Sequence, residues 1–336
     1  MNNKKFGNNI NLERINLGQA IPLEWPLLLF VELSGYCNFK CKFCPHGTQN
    51  DRLLMDNMDF GLFKKMINEL QQDCAHIAKV RYCGMGEMLI NPDAIEMMAY
   101  LRNVVTTGNL DVECLELVTN GSCFKQIDTK RLCESVDRIV ISVEGLDSEE
   151  YKAVTGTTLD YESFLEGVAS VYANRGNCEI VAKIQGNSMK SEADKNRFEK
   201  LFGDKADLLS IENLTDMWPG YDTKLVDKDK RFRYQMDEDV IQKKICAQLF
   251  KSLQVYANGD VVPCCFDWER LNYLGNVGDK TIKDIWNGEE LRNLARKHLM
   301  LQKNTFKPCN TCYGNDYCDI DDVDDYREEI IERMKF

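Results

Sequence analysis

Hydrophobic positions along this chain follow two rhythms that take turns. Short apolar runs rich in Val, Ile and Leu recur at Leu27–Leu33, Ile77–Cys83, Cys114–Thr119, Arg138–Val143, Glu179–Ile184 and Leu208–Asn213. Runs of this length bounded by turn residues predict buried strands. Between them the apolar spacing shifts to that of a helix. Asp59–Gln72 carries Phe60, Phe63, Met66, Ile67 and Leu70 on one helical face, and Pro92–Asn103, Thr129–Glu134, Tyr161–Asn174 and Glu192–Phe202 predict further helices. Six strand–helix units in sequence imply an α/β fold with a parallel sheet, either an open doubly wound sheet or an incomplete barrel. Both architectures collect ligands beyond the carboxyl ends of the strands, where this chain has turns such as Thr119-Asn120-Gly121 and Glu144-Gly145.

The alternation occupies residues 27–214 and then stops. Residues 215–245, with Trp218-Pro219-Gly220 and the charged stretch Lys224–Asp239, read as a linker. A small C-terminal domain is expected over 246–318. In it, Leu253–Tyr256 and Val261–Pro263 flank an Asn258-Gly259 turn and predict a hairpin, Thr281 caps a helix through Trp286, and a second helix lies near Glu289–Leu301. Residues 1–26 read as a loose lead-in, and 319–336 as an acidic tail whose Asp319–Asp325 stretch is expected to be solvated.

Composition narrows the function. With 44% hydrophobic and 29% charged residues the chain reads as an ordinary soluble globular protein. No apolar run approaches the ~20 residues that span a bilayer, and the first residues lack a secretory signal, so a cytoplasmic protein is expected. A net charge of −12 argues against nucleic-acid binding, which depends on cations that neutralise phosphates.

Fifteen cysteines without an export signal point to metal rather than disulfides. Cys37, Cys41 and Cys44, spaced CxxxCxxC, sit on a loop directly after the first strand. Three thiolates hold three irons of a 4Fe–4S cube and leave the fourth iron open to another ligand. A second set gathers near the C-terminus: Cys246, Cys264, Cys265, Cys309, Cys312 and Cys318. Cys246 and Cys264 bracket the hairpin, so its fold brings them together, and Cys309-x-x-Cys312 completes four thiols. Four thiolates suit a closed iron–sulfur cluster, and zinc equally.

The CxxxCxxC loop, with aromatic Phe43 before its last cysteine, resembles that of the radical S-adenosylmethionine (SAM) superfamily. The later cysteines resemble the auxiliary iron–sulfur domains called SPASM and Twitch. The resemblance covers residues 27–318. Asn258–Cys264, Leu274–Val277 and Ile282–Trp286 are similar to dehydrogenases of the 2-deoxy-scyllo-inosamine type, and the same features occur broadly among superfamily members with auxiliary clusters. It implies a partial (β/α)6 barrel with a small auxiliary-cluster domain.

The resemblance also implies cofactors: two 4Fe–4S clusters, one binding SAM through Cys37, Cys41 and Cys44, and one auxiliary on Cys246, Cys264, Cys309 and Cys312. Gly84-Met85-Gly86-Glu87 stands where the family has a Gly-Gly-Glu-like motif that meets the SAM amino group, with the glycine pair interrupted here. Asn120 after the third strand, Ser142 and Glu144 after the fourth, and Lys183 with Gln185 on the fifth stand at strand ends that face SAM or substrate. Cys265 is left over, either a small buried residue or a hydrogen donor to a substrate radical. Cys318 extends toward the longer pattern with two auxiliary clusters, whose next cysteine is replaced by Asp322.

The implied chemistry is reductive cleavage of SAM to a 5′-deoxyadenosyl radical, with electrons from a flavodoxin- or ferredoxin-like donor. Hydrogen is then abstracted from a small polar substrate, a sugar or aminocyclitol, giving dehydrogenation or epimerisation. Maturation of a ribosomally made peptide is the alternative, disfavoured by a lead-in too short for the peptide-binding domain that many maturases carry. A non-enzymatic metal scaffold leaves the strand-end motifs without a purpose.

Overall fold

The computed structural model describes residues 6–7, 15–48, 50–108, 110–221, 223, 232–233, 236–239 and 242–336. Six strands form in the order expected: β1 (Leu28–Val31), β2 (His76–Tyr82), β3 (Asp111–Thr119), β4 (Arg138–Val143), β5 (Glu179–Gln185) and β6 (Leu208–Glu212). Each pairs in parallel with the next, as Leu28 with Lys79 and Ser142 with Lys183 illustrate. A pair of short strands, β7 (Phe232–Arg233) and β8 (Met236–Asp239), stands apart; part of the stretch read as a linker lies outside the described residues.

The helices between the strands start where side chains satisfy the free backbone N–H groups. Asp59 caps Phe60–Gln72, Asp128 caps Thr129–Ser135, Asp160 caps Tyr161–Asn174 and Ser191 caps Glu192–Phe202. Phe63, Met66, Ile67 and Leu70 of the first are buried against Leu29, Val31, Ile77 and Val80 in one continuous core. Burying such side chains contributes about 1.5–3 kcal/mol each.

The two faces of the sheet differ. Leu115, Leu117, Ile139, Ile141, Ile180 and Ala182 face the helices and belong to the core. The alternate positions carry Lys79 and Arg81 on β2, Glu116 on β3, Arg138 and Ser142 on β4, Lys183 on β5, and Ser210 and Glu212 on β6. Glu116, Ser210 and Glu212 are buried even so. This second face is the concave side of the incomplete barrel, where these polar groups stand among buried Phe30, Val140 and Val181.

The C-terminal part joins the sheet. Strand β9 (Ser252–Val255) pairs in parallel with β1 from the side opposite β2, and β10 (Asp260–Val262) and β11 (Gly275–Asn276) extend it antiparallel. The Asn258-Gly259 hairpin forms as expected: Gly259 takes φ 87°, a left-handed conformation that glycine allows. One nine-stranded sheet therefore runs through both halves, so the barrel and the C-terminal unit share a backbone ladder.

Three expectations are corrected. Within the lead-in, Leu17–Ala20 is helical, Leu17, Ile21 and Trp25 are buried, and Phe6 bridges to Leu209 at the β6 edge. The acidic tail is not a solvated segment. Asp319 is buried and pairs with buried Lys251 at 2.6 Å, while Asp321 meets the same amine at 2.5 Å. Burial alone would raise the Asp319 carboxyl, but Lys251 and Lys243 outweigh it and hold the group below its ordinary range. Beyond it, the helix Arg327–Met334 buries Ile330, and Arg333 reaches the carbonyls of Gly18 and Gln19, so both ends of the described chain pack together. A further helix, Ser148–Thr155, was absent from the sequence reading; Asp147 caps its start and Gly156 ends it at φ 67°. Among the described residues no helix is long and apolar enough to cross a membrane.

Candidate active site and auxiliary metal centre

The loop after β1 turns at Ser34-Gly35-Tyr36 and carries the first three thiols. Phe39 is buried with its ring edge-on to Tyr151, centroids 6.2 Å apart. Lys40 N and Lys42 N donate to the carbonyls of Thr155 and Val154 at 2.8 and 3.0 Å, so the helix missed from sequence clamps the loop on both sides of Cys41. Cys44 N donates to Cys41 O at 3.0 Å and closes the turn between the last two thiols. Phe43 is half-buried beside them.

Neighbouring strand ends buttress this loop. The backbone after β2 passes so close that a Cβ on Gly84 would sit 2.2 Å from Glu32 Oε2, and one on Gly86 would sit 2.1 Å from Ser34 O. Only glycine permits that approach. Glu87 N donates to Tyr36 O at 2.7 Å. The Glu87 carboxylate accepts from Thr119 Oγ1 at 2.7 Å, Asn120 N at 2.6 Å and Leu89 N at 3.2 Å. Asn120 Nδ2 in turn donates to Asn38 Oδ1 at 2.9 Å, next to Cys37. Within this structure Glu87 and Asn120 thus link the β2 and β3 ends to the thiol loop.

Burial first, and then nearby negative charge, raises all three thiols: Cys37 to about 11, Cys44 to about 12, and Cys41 well above its usual value, where Glu144, Cys44 and Cys37 add to the effect. Buried thiols crowded in this way become thiolates when a cationic centre takes their protons' place. A three-thiol loop at the carboxyl end of a barrel strand fits an iron–sulfur centre with one open iron.

Glu144 stands beside this loop at the end of β4. Its side chain is buried, Oε2 has no hydrogen-bond partner among the described residues, and burial lifts its carboxyl to about 7, with Lys183 opposing and Glu212 adding to the shift. Lys183 Nζ lies 3.2 Å from Glu212 Oε2. Ser142 is half-buried on the same concave face. Deeper in, Lys79, Arg81 and Arg138 converge on Glu116, which Lys79 reaches at 3.0 Å and Arg81 more closely. Burial would raise Glu116, but Arg81, Lys79 and Arg138 together hold it down at about 2.

The second set of thiols surrounds a hollow beneath the hairpin. Cys246, Cys264, Cys309 and Cys312 all line it, with Leu249, Phe266 and Pro308 as apolar walls. Burial raises each thiol, Cys246 to about 12, and the thiols reinforce one another. Four converging thiols in an apolar shell fit a closed cluster. Cys265 and Cys318 do not line the hollow. Cys265 lies near Cys83, Arg81 and Cys318, toward the concave face, and Cys318 Sγ sits 3.7 Å from Thr215 Oγ1. His298, which carried no sequence signal, lines the hollow, and burial followed by the charge of Lys303 pushes its imidazole down to about 4. Glu32, Glu116 and Glu212 were also missed. Their signal was a lone acidic residue inside an otherwise apolar run.

Two family patterns match the chain: the radical SAM superfamily over residues 31–182 and an iron–sulfur cluster-binding domain, SPASM, over 246–313. The chain belongs to the radical SAM superfamily and carries a C-terminal SPASM domain. The first matched region holds Cys37, Cys41 and Cys44, and the second holds Cys246, Cys264, Cys309 and Cys312.

Among curated proteins, it is 28% identical over 143 residues to a probable GTP 3′,8-cyclase of Saccharolobus islandicus, and 26% identical over 135 residues to one from Methanococcus aeolicus. These matches span 42% of each relative, and 42% and 39% of this chain. Among solved structures, BtrN in complex with AdoMet and 2-DOIA is similar at TM-score 0.55 and 15% identity, covering 85% of this chain and 92% of that one. Streptococcus suis SuiB bound to precursor peptide SuiA is similar at TM-score 0.60 and 16% identity, covering 90% and 73%. Native anSMEcpe with bound AdoMet is similar at TM-score 0.59 and 17% identity, covering 92% and 98%. These likenesses establish the shared fold.

Proposed function

We propose that the chain is a radical SAM oxidoreductase that takes a hydrogen atom from a small polar substrate, a sugar, aminocyclitol or related metabolite, and completes a dehydrogenation or epimerisation with one auxiliary 4Fe–4S centre on Cys246, Cys264, Cys309 and Cys312. The observation that carries this reading is the buried, charged concave face between the two thiol sets. Glu144 there has an oxygen without a hydrogen-bond partner among the described residues, beside the Lys183–Glu212 and Arg81–Glu116 ion pairs; an apolar group would leave that oxygen unsatisfied, and a hydroxyl or amine would pair with it.

When bound, SAM and its iron centre supply a 5′-deoxyadenosyl radical able to remove an unactivated hydrogen. The protein's own residues orient and deprotonate. Glu144 offers Oε2, free of protein partners among the described residues, to a substrate hydroxyl, and a hydroxyl proton released during oxidation passes to it. Ser142 and Lys183 hold the ribose or the substrate on the same face, and Glu87, Gly84, Gly86, Asn120 and Phe43 keep the thiol loop in place. Reduced thiols suit a cytoplasmic enzyme served by a flavodoxin- or ferredoxin-like donor, and all fifteen cysteines are free.

The test is substrate-dependent isotope transfer. Anaerobically reconstituted, reduced protein is given SAM with carbon-deuterated polyols and aminocyclitols, or with peptides. Deuterium in 5′-deoxyadenosine together with a ketone or epimer is expected from the former. Transfer from peptides alone would overturn the small-substrate reading in favour of a maturase.

A further inference from the structure

His298, in the last turn of the helix Glu289–Leu299, is fully buried, at 0% exposure. Its ring stands edge-on to Phe306, centroids 5.6 Å apart. Cys246 N donates to His298 Nδ1 at 3.3 Å. A ring nitrogen that accepts from a backbone N–H carries no proton itself, so the proton of the neutral imidazole is on Nε2. Nε2 is buried and has no hydrogen-bond partner among the described residues. A donor stranded inside a protein costs about 1–3 kcal/mol, so its retention calls for an acceptor. The same ring lines the hollow formed by Cys246, Cys264, Cys309 and Cys312.

We infer that His298 donates a hydrogen bond from Nε2 to a sulfur of the auxiliary centre and thereby favours that centre's reduced form. This inference rests on the proposal that the four thiols hold an iron–sulfur cluster. Sulfur in such a cluster becomes more negative on reduction, and a donor binds a more negative acceptor more strongly, so hydrogen bonds to the sulfurs raise the potential. His298 is a positioning and tuning residue here, and not a ligand, because Nδ1 accepts from Cys246 N and Nε2 carries the proton. Lys303, which lines the same hollow, adds positive charge in the same sense. Both features make the auxiliary centre a better acceptor, which suits the oxidative outcome proposed above.

The test uses full-length protein in which Cys37, Cys41 and Cys44 are replaced by alanine, so that only the auxiliary centre remains, and compares it with the same protein carrying His298→Phe or His298→Gln. The expected result is an unchanged iron content and a reduction equilibrium about tenfold less favourable in the phenylalanine variant, which is 59 mV for a one-electron couple. Glutamine, which keeps an N–H donor, should lie between. In the His298 protein, ENDOR of the reduced centre should show an exchangeable deuteron after transfer to D2O and a coupled 15N after histidine labelling. Only three histidines are present in the chain, which makes the label selective. A reduction equilibrium within twofold of the parent in both variants, or no exchangeable coupling, overturns the inference alone. Loss of iron in both variants makes His298 a ligand and overturns it too. Zinc in place of iron at the four thiols overturns the underlying cluster reading.

Discussion

Cys37, Cys41 and Cys44 lie on one loop, whereas Cys246, Cys264, Cys309 and Cys312 come from three separate segments that the sheet and the hairpin bring together. The first set is short of a fourth donor and has polar company: Glu144 with an unpartnered oxygen, and Asn120 beside Asn38. The second set is complete and closed in by Leu249, Phe266 and Pro308, with a neutral histidine in its wall. Local donors that leave a side open suit a cofactor that must be approached by substrate. Donors gathered from a distance suit one that is sealed and exchanges only electrons. The ladder between β1 and β9 fixes the two sites relative to one another, since one sheet carries the loop of the first and the hairpin of the second.

The contrast makes predictions of decreasing size. Replacing Cys37, Cys41 and Cys44 with alanine should abolish 5′-deoxyadenosine formation, by about a thousandfold or more, because the radical chemistry belongs to the bound group. Iron at the auxiliary thiols should persist; chromatography of the nucleoside and iron analysis measure both. Glu144→Gln keeps shape and hydrogen bonding but removes the proton acceptor. Here kcat/KM for product should fall about a hundredfold while SAM is still cleaved, so the ratio of 5′-deoxyadenosine to product should rise.

Glu116→Gln probes the floor beneath both sites. It leaves Lys79, Arg81 and Arg138 facing one another and should cost about 3 kcal/mol at pH 7 in urea unfolding. The Glu116 carboxyl is depressed from 4.5 to about 2 in the folded protein. Its stabilisation is therefore complete above about pH 4.5 and is lost as pH falls toward 2, so the gap between parent and variant should narrow over that range. Thr281→Ala removes the capping box at the helix Ile282–Trp286 and should cost about 1 kcal/mol, with both centres retaining their iron.

Much of this architecture was legible beforehand, and the exceptions have physical causes. Arg138–Val143 was read to the residue, and the other barrel strands to within three residues at either end, because runs of Val, Ile and Leu between turn residues are a strong local signal. The three-thiol loop was legible for the same reason: its donors are neighbours in sequence. The helix Ser148–Thr155 escaped because Ser148-Glu149-Glu150-Tyr151 shows little apolar periodicity; its burial rests on Tyr151 packing against Phe39, Tyr161 and Phe164. The tail around Asp319 read as solvated because its partner, Lys251, is far away in sequence. His298 escaped for a similar reason. Its environment is assembled from Cys246, Phe306 and the two late cysteines, and no spacing rule records that.

The central claim is that the first thiol set leaves an iron open to SAM and the second does not. It is tested most directly by EPR of the reduced protein with and without SAM, in one variant lacking Cys37, Cys41 and Cys44 and another lacking Cys246, Cys264, Cys309 and Cys312. The account predicts a spectrum that changes with SAM when only the first centre remains, and one indifferent to SAM when only the second does. A first centre that ignores SAM, or a second that responds to it, would contradict the account.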